Sequence, residues 1–422
     1  MLVPVLSLAL AMGGAGPVRA QLHGPPPGLP ELHLPGAGMP GLPPLPAARH
    51  VPRLPSIPAT PALAHLDDLL RGPLALTREA QVNALLRAEP RRVTLDPRGA
   101  PVLRGEFLAL GLSAAQRAAV QADGFVAESQ ASADAALGLD LVILRDTRGR
   151  SEAQALRALQ QAAPGASFAY QHIYLPAGGS GDGSQASAVP PGSGGVPHRV
   201  GLVDGGVDPA DPALAHARID DHGCTKATVS RHGTAVAARL VDGDPDTLYA
   251  ANLWCGGVVG GETSGLVAAL AWMAREGVPV INISLVGPDN PVLARAVQVM
   301  IASGHVLVAA VGNDGPAAPP LFPAAYPGVI GVSGVDAHDR VLPESASGSQ
   351  VAFCASGVIG HGRDAMRGTS FASPIVARRA AQLLDAPQPG AAAQVLQHLA
   401  SEARDLGPPG RDPRCGFGLL SP

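Results

Sequence analysis

Residues 278–312 read VPVINISLVGPDNPVLARAVQVMIASGHVLVAAVG, and this stretch decides the fold class. It begins and ends with the short apolar runs VPVINISL and VLVAAVG, and the segment between them has apolar residues at helical spacing. Apolar runs of this kind indicate strands that are buried on both faces. A helix between two such strands predicts a right-handed crossover within a parallel sheet.

The same alternation extends across residues 198–422. The strand-like runs RVGLVD and LYAANLW precede the opening stretch, and helical patterns occur in RHGTAVAARLV, SGLVAALAWMAREG and IVARRAAQLL. This order predicts an α/β domain with a doubly wound, mostly parallel sheet and flanking helices. Ligands of such sheets bind at the carboxyl ends of the strands, so the polar residues that follow the strands are the candidate site residues.

Residues 99–176 show a different pattern. Strand-like runs occur in VLRGEFLALGL, FVAES, LDLVILRD and FAYQHIYL, and helical patterns in SAAQRAAVQADG and EAQALRALQQAAP. The order β-α-β-β-α-β predicts a small α+β domain of the split-βαβ type. Glycine and serine dominate residues 177–197, which predicts an exposed linker and a processing zone.

The first 98 residues divide into three segments. Residues 1–20 are apolar and end in small residues, which is typical of a signal peptide and too short for a membrane anchor. No Lys or Arg precedes the apolar run, so a wrongly assigned start and an uncleaved leader are alternatives. The proline-rich residues 21–63 predict a disordered spacer. Residues 64–98 contain the short helical patterns ALAHLDDLL and REAQVNALLRA, whose role the sequence does not reveal.

Composition limits the classes of partner. A formal charge of −4 over 422 residues provides neither the basic face typical of nucleic-acid binding nor an acidic tail. The signal-like start predicts an exported protein, secreted or periplasmic, and we expect a monomer with no membrane span. We expect no cofactor and no metal, because the sequence has no Asp-rich calcium loop, although a structural calcium ion is compatible with it.

All four cysteines lie in the second half of the chain, and none has the CxxC spacing of a zinc or redox site. In an exported protein two disulfides are the natural interpretation, with buried free thiols as the alternative. Four cysteines allow three pairings, which the sequence leaves open. Proximity along the chain favours Cys224 with Cys255 and Cys354 with Cys415.

Four polar residues stand where strands end or helices begin in the predicted α/β domain. Asp204 ends RVGLVD, His232 begins HGTAVAARL, Asn313 follows VLVAAVG, and Ser370 lies in RGTSFASP before a helical run. Taken singly, each fits an ordinary structural role as a turn residue, a structural histidine or a helix cap. Together they follow the order Asp, His, Asn, Ser, in which the Asp, His and Ser of a subtilisin-type triad occur.

The words VDGGVD, HGTAVA, VINISL, AAVGNDGP and GTSFASP occur in this order, and residues 197–422 resemble the subtilisin-like serine proteases, here of the bacterial kind with an N-terminal propeptide. The resemblance implies a serine endopeptidase with Asp204, His232 and Ser370 as its catalytic triad. It also implies that Asn313 is an oxyanion-hole donor. The substrate-binding residues that it implies are Ser284, Leu285, Gly287, Ala310 and Gly312.

The resemblance also gives a role to residues 99–176. Many secreted members of the family carry a split-βαβ propeptide that assists folding and blocks the cleft, so this segment is expected to be an intramolecular inhibitor. Self-cleavage is expected between Pro176 and Pro197. A catalytically silent binding module with this fold is the alternative function. Another class of serine hydrolase fits less well, because GTSFASP is not a GxSxG elbow.

Two features depart from the family pattern. Ala235, Ala238 and Arg239 replace the usual residues after the predicted catalytic histidine. Arg378 and Arg379 occupy a helix where small residues are common. The second departure puts the packing of that helix in question, because two large cations must be accommodated near the core.

Overall fold

The computed structural model describes residues 78–178, 197–223, 229–254, 261–360 and 365–422. All of them belong to one structural unit, Ala59–Pro422. The predicted signal peptide, the proline-rich spacer and the helical pattern ALAHLDDLL lie outside the described residues. So do residues 179–196 of the predicted linker, and Cys224 and Cys255 with their proposed pairing.

The N-terminal described part forms an antiparallel sheet. Its elements are α1 (Arg78–Ala88), β1 (Val93–Leu95), β2 (Pro101–Leu110), α2 (Ala114–Ala122), β3 (Phe125–Ser129), α3 (Ala131–Leu137), β4 (Leu141–Asp146), α4 (Glu152–Ala162) and β5 (Ser167–His172). Within the described residues the strand order is β5-β2-β4-β3, with β1 beside the start of β2. Ser113 and Gln116 form a capping box at the start of α2, as Ser151 and Gln154 do at α4.

The second part is built on a parallel sheet, as the sequence predicts. In the described ranges it has seven strands in the order β14-β13-β12-β10-β7-β9-β8, all paired in parallel. Its elements, with the short strands beside them, are β6 (Leu175–Pro176), β7 (Arg199–Asp204), β8 (Arg218–His222), α5 (Arg231–Val241), β9 (Thr247–Asn252), α6 (Thr263–Arg275), β10 (Val280–Ile283), β11 (Leu285–Val286), α7 (Pro291–Ala302), β12 (Val306–Ala310), β13 (Ile330–Val335), β14 (Val351–Ser356), β15 (Val358–Ile359), β16 (Met366–Arg367), α8 (Ser373–Ala381) and α9 (Ala391–Glu402).

Helices cover both faces of the parallel sheet, which confirms the doubly wound α/β fold. On one face, Val236 of α5 and Val376 of α8 are fully buried in an apolar cluster with strand residues such as Val308. On the other face, α6 and α7 share a cluster that also contains α1 and α3 of the N-terminal part. The antiparallel sheet is therefore joined to the parallel-sheet part by a continuous apolar contact.

One predicted disulfide lies within the described residues. Cys354 on β14 is bonded to Cys415 with an S–S distance of 2.07 Å, which confirms this half of the proposed pairing. Both cysteines are buried with Val335 and Leu419 in a small apolar cluster. The bond ties the edge strand β14 to the C-terminal segment.

The three arginines that depart from the family pattern have partners. Arg239 donates hydrogen bonds from α5 to the carbonyl oxygens of Ser356 and Val358, and burial lowers its pKa to about 10. The Arg378 guanidinium lies 2.9 Å from an Asp242 oxygen and 2.6 Å from an Asp244 oxygen. Arg379 points outward and pairs with Glu402. The helix thus accommodates both cations without opening the core.

The Arg378 ion pairs give a stability prediction. We expect Arg378→Ala to lower the free energy of unfolding by about 3 kcal/mol, because it leaves the largely buried Asp244 without its cation. Arg379→Ala is the matched control and should cost less than about 1 kcal/mol, since its ion pair is exposed to solvent. Urea unfolding followed by circular dichroism measures both changes, and equal losses would contradict this assignment.

Candidate active site

Three of the predicted site residues meet at the carboxyl edge of the parallel sheet. Asp204 is the last residue of β7, His232 is the second residue of α5, and Ser370 lies in a short 3₁₀ turn just before α8. His232 Nδ1 lies 2.9 Å from Asp204 Oδ1, and His232 Nε2 lies 2.9 Å from Ser370 Oγ. All three side chains are buried. A carboxylate, an imidazole and a hydroxyl in this chain of contacts can pass a proton from the hydroxyl to the ring.

Local sequence brings His232 to Asp204. Ser230 caps α5, because its hydroxyl accepts a hydrogen bond from the Gly233 N–H at 3.1 Å. A Cβ atom on Gly233 would lie 2.4 Å from the carbonyl oxygen of Gly205, which directly follows Asp204. The first turn of α5 can therefore approach the end of β7 only with glycine at position 233.

Asn313 and the Ser370 backbone converge on one oxygen atom. Asn313 Nδ2 donates to the carbonyl oxygen of Ala177 at 2.5 Å, and the Ser370 N–H donates to the same oxygen at 3.0 Å. The Asn313 Oδ1 accepts from the Thr369 N–H at 3.1 Å, which fixes the orientation of the amide. Two donors aimed at one carbonyl oxygen can stabilise negative charge that develops there.

The chain's own residues 174–178 run through the site. The short strand β6 pairs antiparallel with β11, and the Ala177 N–H donates to the Ser284 carbonyl at 3.1 Å. On the other side, the Tyr174 N–H donates to the Gly261 carbonyl at 2.7 Å. A Cβ atom on Gly178 would lie 2.1 Å from Ser370 Oγ, so the Ala177–Gly178 peptide passes directly beside the hydroxyl.

Four of the five residues predicted to bind substrate lie along this segment. Ser284 and Leu285 pair with Ala177 and Pro176 through the backbone. Gly287 lies beneath the Tyr174 ring, and Ala310 belongs to the apolar cluster that contains Ala177. The fifth residue, Gly312, directly precedes Asn313, and its N–H donates to Thr369 Oγ1.

Sequence reasoning missed Gly261, Leu321 and Thr369. Thr369, whose N–H donates to the Asn313 side chain, lies beside the serine in GTSFASP and could have been found from that word. Leu321 follows a proline-rich turn and carries no sequence signal of its own. It joins the apolar cluster that contains Ala177 only in the folded chain.

Helix α1 also reaches the cleft. Gln81 is buried, and its Nε2 lies 3.4 Å from the carbonyl oxygen of Pro176. The Arg78 N–H donates to Asp314 Oδ1 at 3.2 Å, beside Asn313. The segment upstream of the antiparallel sheet therefore covers the outer side of residues 175–177.

Glu262 stands where the two sheets meet. Its backbone forms an isolated bridge with Ile173, and its neighbours from the N-terminal part include Glu106, Arg92 and Arg145. Burial raises the pKa of Glu262 to about 7, with the Glu106 charge acting in the same direction. The folded chain therefore holds a proton on this carboxyl over a range where the unfolded chain has released it.

Residues 198–418, more than half of the chain, match the sequence profile of the Subtilase family. The chain belongs to the subtilase family. The match begins just before β7 and ends beyond α9, so it spans the whole parallel sheet. It also includes the four residues that the sequence predicts as triad and oxyanion donor, Asp204, His232, Asn313 and Ser370.

Relatives and solved structures agree with this membership. The subtilase chain is 36% identical to subtilisin DY from Bacillus licheniformis over 157 residues, which cover 35% of the chain and 57% of that protein. It is 29% identical to subtilisin from Bacillus pumilus over 233 residues, 50% of the chain and 84% of that protein. The structure of fervidolysin from Fervidobacterium pennivorans, a keratinolytic enzyme related to subtilisin, matches with a TM-score of 0.60 at 20% identity, covering 78% of this chain and 61% of that one. This last likeness supports the fold.

Two further observations concern the described residues of the subtilase chain. None of the helices in these ranges is long and apolar enough to cross a membrane. In the same ranges, three or more His, Cys, Asp or Glu side chains are nowhere grouped so as to hold a metal ion.

Glu262 gives a prediction of pH dependence. Between its ordinary value of 4.5 and about 7, the folded state binds more protons than the unfolded state, so stability falls as the pH rises through this window. Between pH 5 and pH 8 we expect the free energy of unfolding of the unaltered protein to fall by an amount on the order of 1–3 kcal/mol, and Glu262→Gln to remove this fall. Unfolding midpoints at both pH values measure it, with the exposed Glu79→Gln as control. An unchanged pH dependence in Glu262→Gln would refute the assignment.

Proposed function

We propose that this subtilase is an exported serine endopeptidase that hydrolyses peptide bonds. One observation carries the proposal. The Ala177 carbonyl oxygen accepts hydrogen bonds from Asn313 Nδ2 and the Ser370 N–H, while the Ser370 hydroxyl is hydrogen-bonded to His232 Nε2. A peptide bond, a hydroxyl with its base and two oxyanion donors are thus in one place, as acyl transfer to serine requires.

The geometry supports a two-step mechanism. Ser370 Oγ attacks the carbonyl carbon, and its proton moves to His232 Nε2. Asp204 accepts a hydrogen bond from His232 Nδ1, which sets the tautomer of the ring and stabilises the imidazolium. The imidazolium then gives the proton to the leaving nitrogen as the C–N bond breaks. Water activated by His232 cleaves the acyl-enzyme and restores the Ser370 hydroxyl.

We further propose that the first bond cleaved is the chain's own Ala177–Gly178 bond. This bond lies within the stretch in which the sequence predicts self-cleavage, and it is the peptide beside Ser370 Oγ. After cleavage, residues 78–177 would retain the backbone pairing of β6 with β11 and the apolar contact with α6 and α7. Before cleavage they would act as an intramolecular inhibitor, and after it they would remain bound as a non-covalent inhibitor until released. The released enzyme acts as a monomer in a secreted or periplasmic setting.

The Ser370 hydroxyl provides the test of this function. We expect the unaltered protein to be labelled by a fluorophosphonate probe and to hydrolyse casein, and Ser370→Ala to do neither, because the probe reacts with an activated serine. The exposed Ser401→Ala is the matched control and should behave as the unaltered protein. Labelling that survives Ser370→Ala, or its absence from every form, would favour a silent binding module. A Ser370→Ala precursor that matures normally when made alone would exclude self-cleavage.

Asn313 gives a second, quantitative prediction. We expect Asn313→Ala to lower kcat about 100- to 1,000-fold with little change in KM, as loss of one oxyanion donor does in a subtilisin. The reason is that the bond from Asn313 Nδ2 strengthens as the oxygen becomes charged. Steady-state kinetics on a peptide substrate, corrected for correctly folded protein, measures the two constants. A rise in KM at constant kcat would assign Asn313 to ground-state binding instead.

A further inference from the structure

Two pockets hold the side chains of residues 174 and 177. We define the alanine pocket as Val286, Ala310 and Leu321, which form one buried apolar cluster with Ala177. We define the tyrosine pocket as Gly287, Pro288 and Tyr326, which lie around the Tyr174 ring. Ala177 immediately precedes the bond beside Ser370, and Tyr174 is the fourth residue before that bond.

Leu321 limits the alanine pocket. Ala177, Val286, Ala310 and Leu321 are all at most 6% exposed, so the pocket is already closed around a methyl group. The Leu321 Cδ1 lies 2.7 Å from the point that a Cβ on Gly312 would occupy, so its side chain packs against Gly312, the residue before Asn313. A larger side chain at this substrate position would have to displace Leu321 or distort the strands beside it.

The tyrosine pocket fits an aromatic ring that carries a hydroxyl. Tyr174 is fully buried, and a Cβ on Gly287 would lie 2.4 Å from its ring, so the ring occupies the space of a missing side chain. The Tyr174 hydroxyl donates to the Pro288 carbonyl oxygen at 2.9 Å. Burial raises the pKa of Tyr174 well above its usual range, so the hydroxyl remains a donor at neutral pH. A ring without the hydroxyl would leave the Pro288 oxygen without this donor.

We propose that the site selects peptides with a tyrosine four residues before the cleaved bond and an alanine-sized residue immediately before it. Pro288 and Gly287 determine the first preference, and Leu321 determines the second. This inference rests on the proposed endopeptidase function and names its substrate class.

The test uses mature enzyme prepared from the full chain, with active sites counted by fluorophosphonate labelling. The reference substrate is an internally quenched peptide with the sequence QHIYLPAGGS, which matches residues 171–180. We expect kcat/KM to fall about 5- to 10-fold when its Tyr is replaced by Phe, and about 100-fold when it is replaced by Ala. Replacement of its Ala by Phe should lower kcat/KM at least about 50-fold.

The variant Leu321→Ala should raise kcat/KM for the peptide with Phe before the bond at least about tenfold, because it opens the alanine pocket. Leu383→Ala is the control, since Leu383 is an exposed leucine of the same size outside the cleft. Suppose that the enzyme is labelled and active but cleaves the peptide with Phe in place of Ala, or the peptide with Ala in place of Tyr, as fast as the reference peptide. The selectivity is then refuted and the endopeptidase function stands. If no form is labelled and no peptide is cleaved, the endopeptidase function fails and the selectivity fails with it. Should Leu321→Ala not fold, the peptide series on the unaltered enzyme still tests the selectivity.

Discussion

Parallel strand pairing is the constraint on which the site depends. In a parallel sheet, the carboxyl ends of neighbouring strands lie at one edge. Strands β7, β10 and β12 are adjacent, so Asp204, Ser284 and Asn313, which end or follow them, come together although they are far apart in sequence. Helices α5 and α8 pack on the same face and bring His232 and Ser370 to this edge. A slip of one strand would separate the carboxylate from the imidazole or the amide from the serine turn.

The same contacts serve two purposes in the proposed mechanism. The donors that would stabilise a charged oxygen in the transition state also hold the neutral Ala177 carbonyl of the precursor. Backbone pairing of β6 with β11 would align a substrate and would equally retain the cleaved N-terminal part. Release of that part therefore requires the loss of its apolar contact with α6 and α7, together with the hydrogen bonds in the cleft. The half-buried Glu262 lies at the boundary of the two sheets, and its raised pKa predicts that the stability of the folded chain falls as the pH rises toward 7.

Much of the fold and site could be predicted because the signals are local. The runs RVGLVD and RHGTAVAARLV coincide with β7 and α5 residue for residue, since burial on both faces and helical spacing leave clear patterns. Strands β8, β13 and β14 were not predicted. β8 carries charged residues at a sheet edge, and β13 contains two glycines, so neither has a long apolar run. Leu321 and Pro288 were missed for a different reason, because they meet the segment of Ala177 and Tyr174 only through tertiary contacts.

The central claim is that the folded precursor presents one of its own bonds to its own serine. The most direct measurement is the N-terminal sequence and intact mass of the mature protein, compared between the unaltered chain and Ser370→Ala, each made alone. The account predicts a mature form that begins at Gly178 and a Ser370→Ala chain that stays joined at this bond. A mature form that begins elsewhere, or the same cleavage in the Ser370→Ala chain, would contradict it.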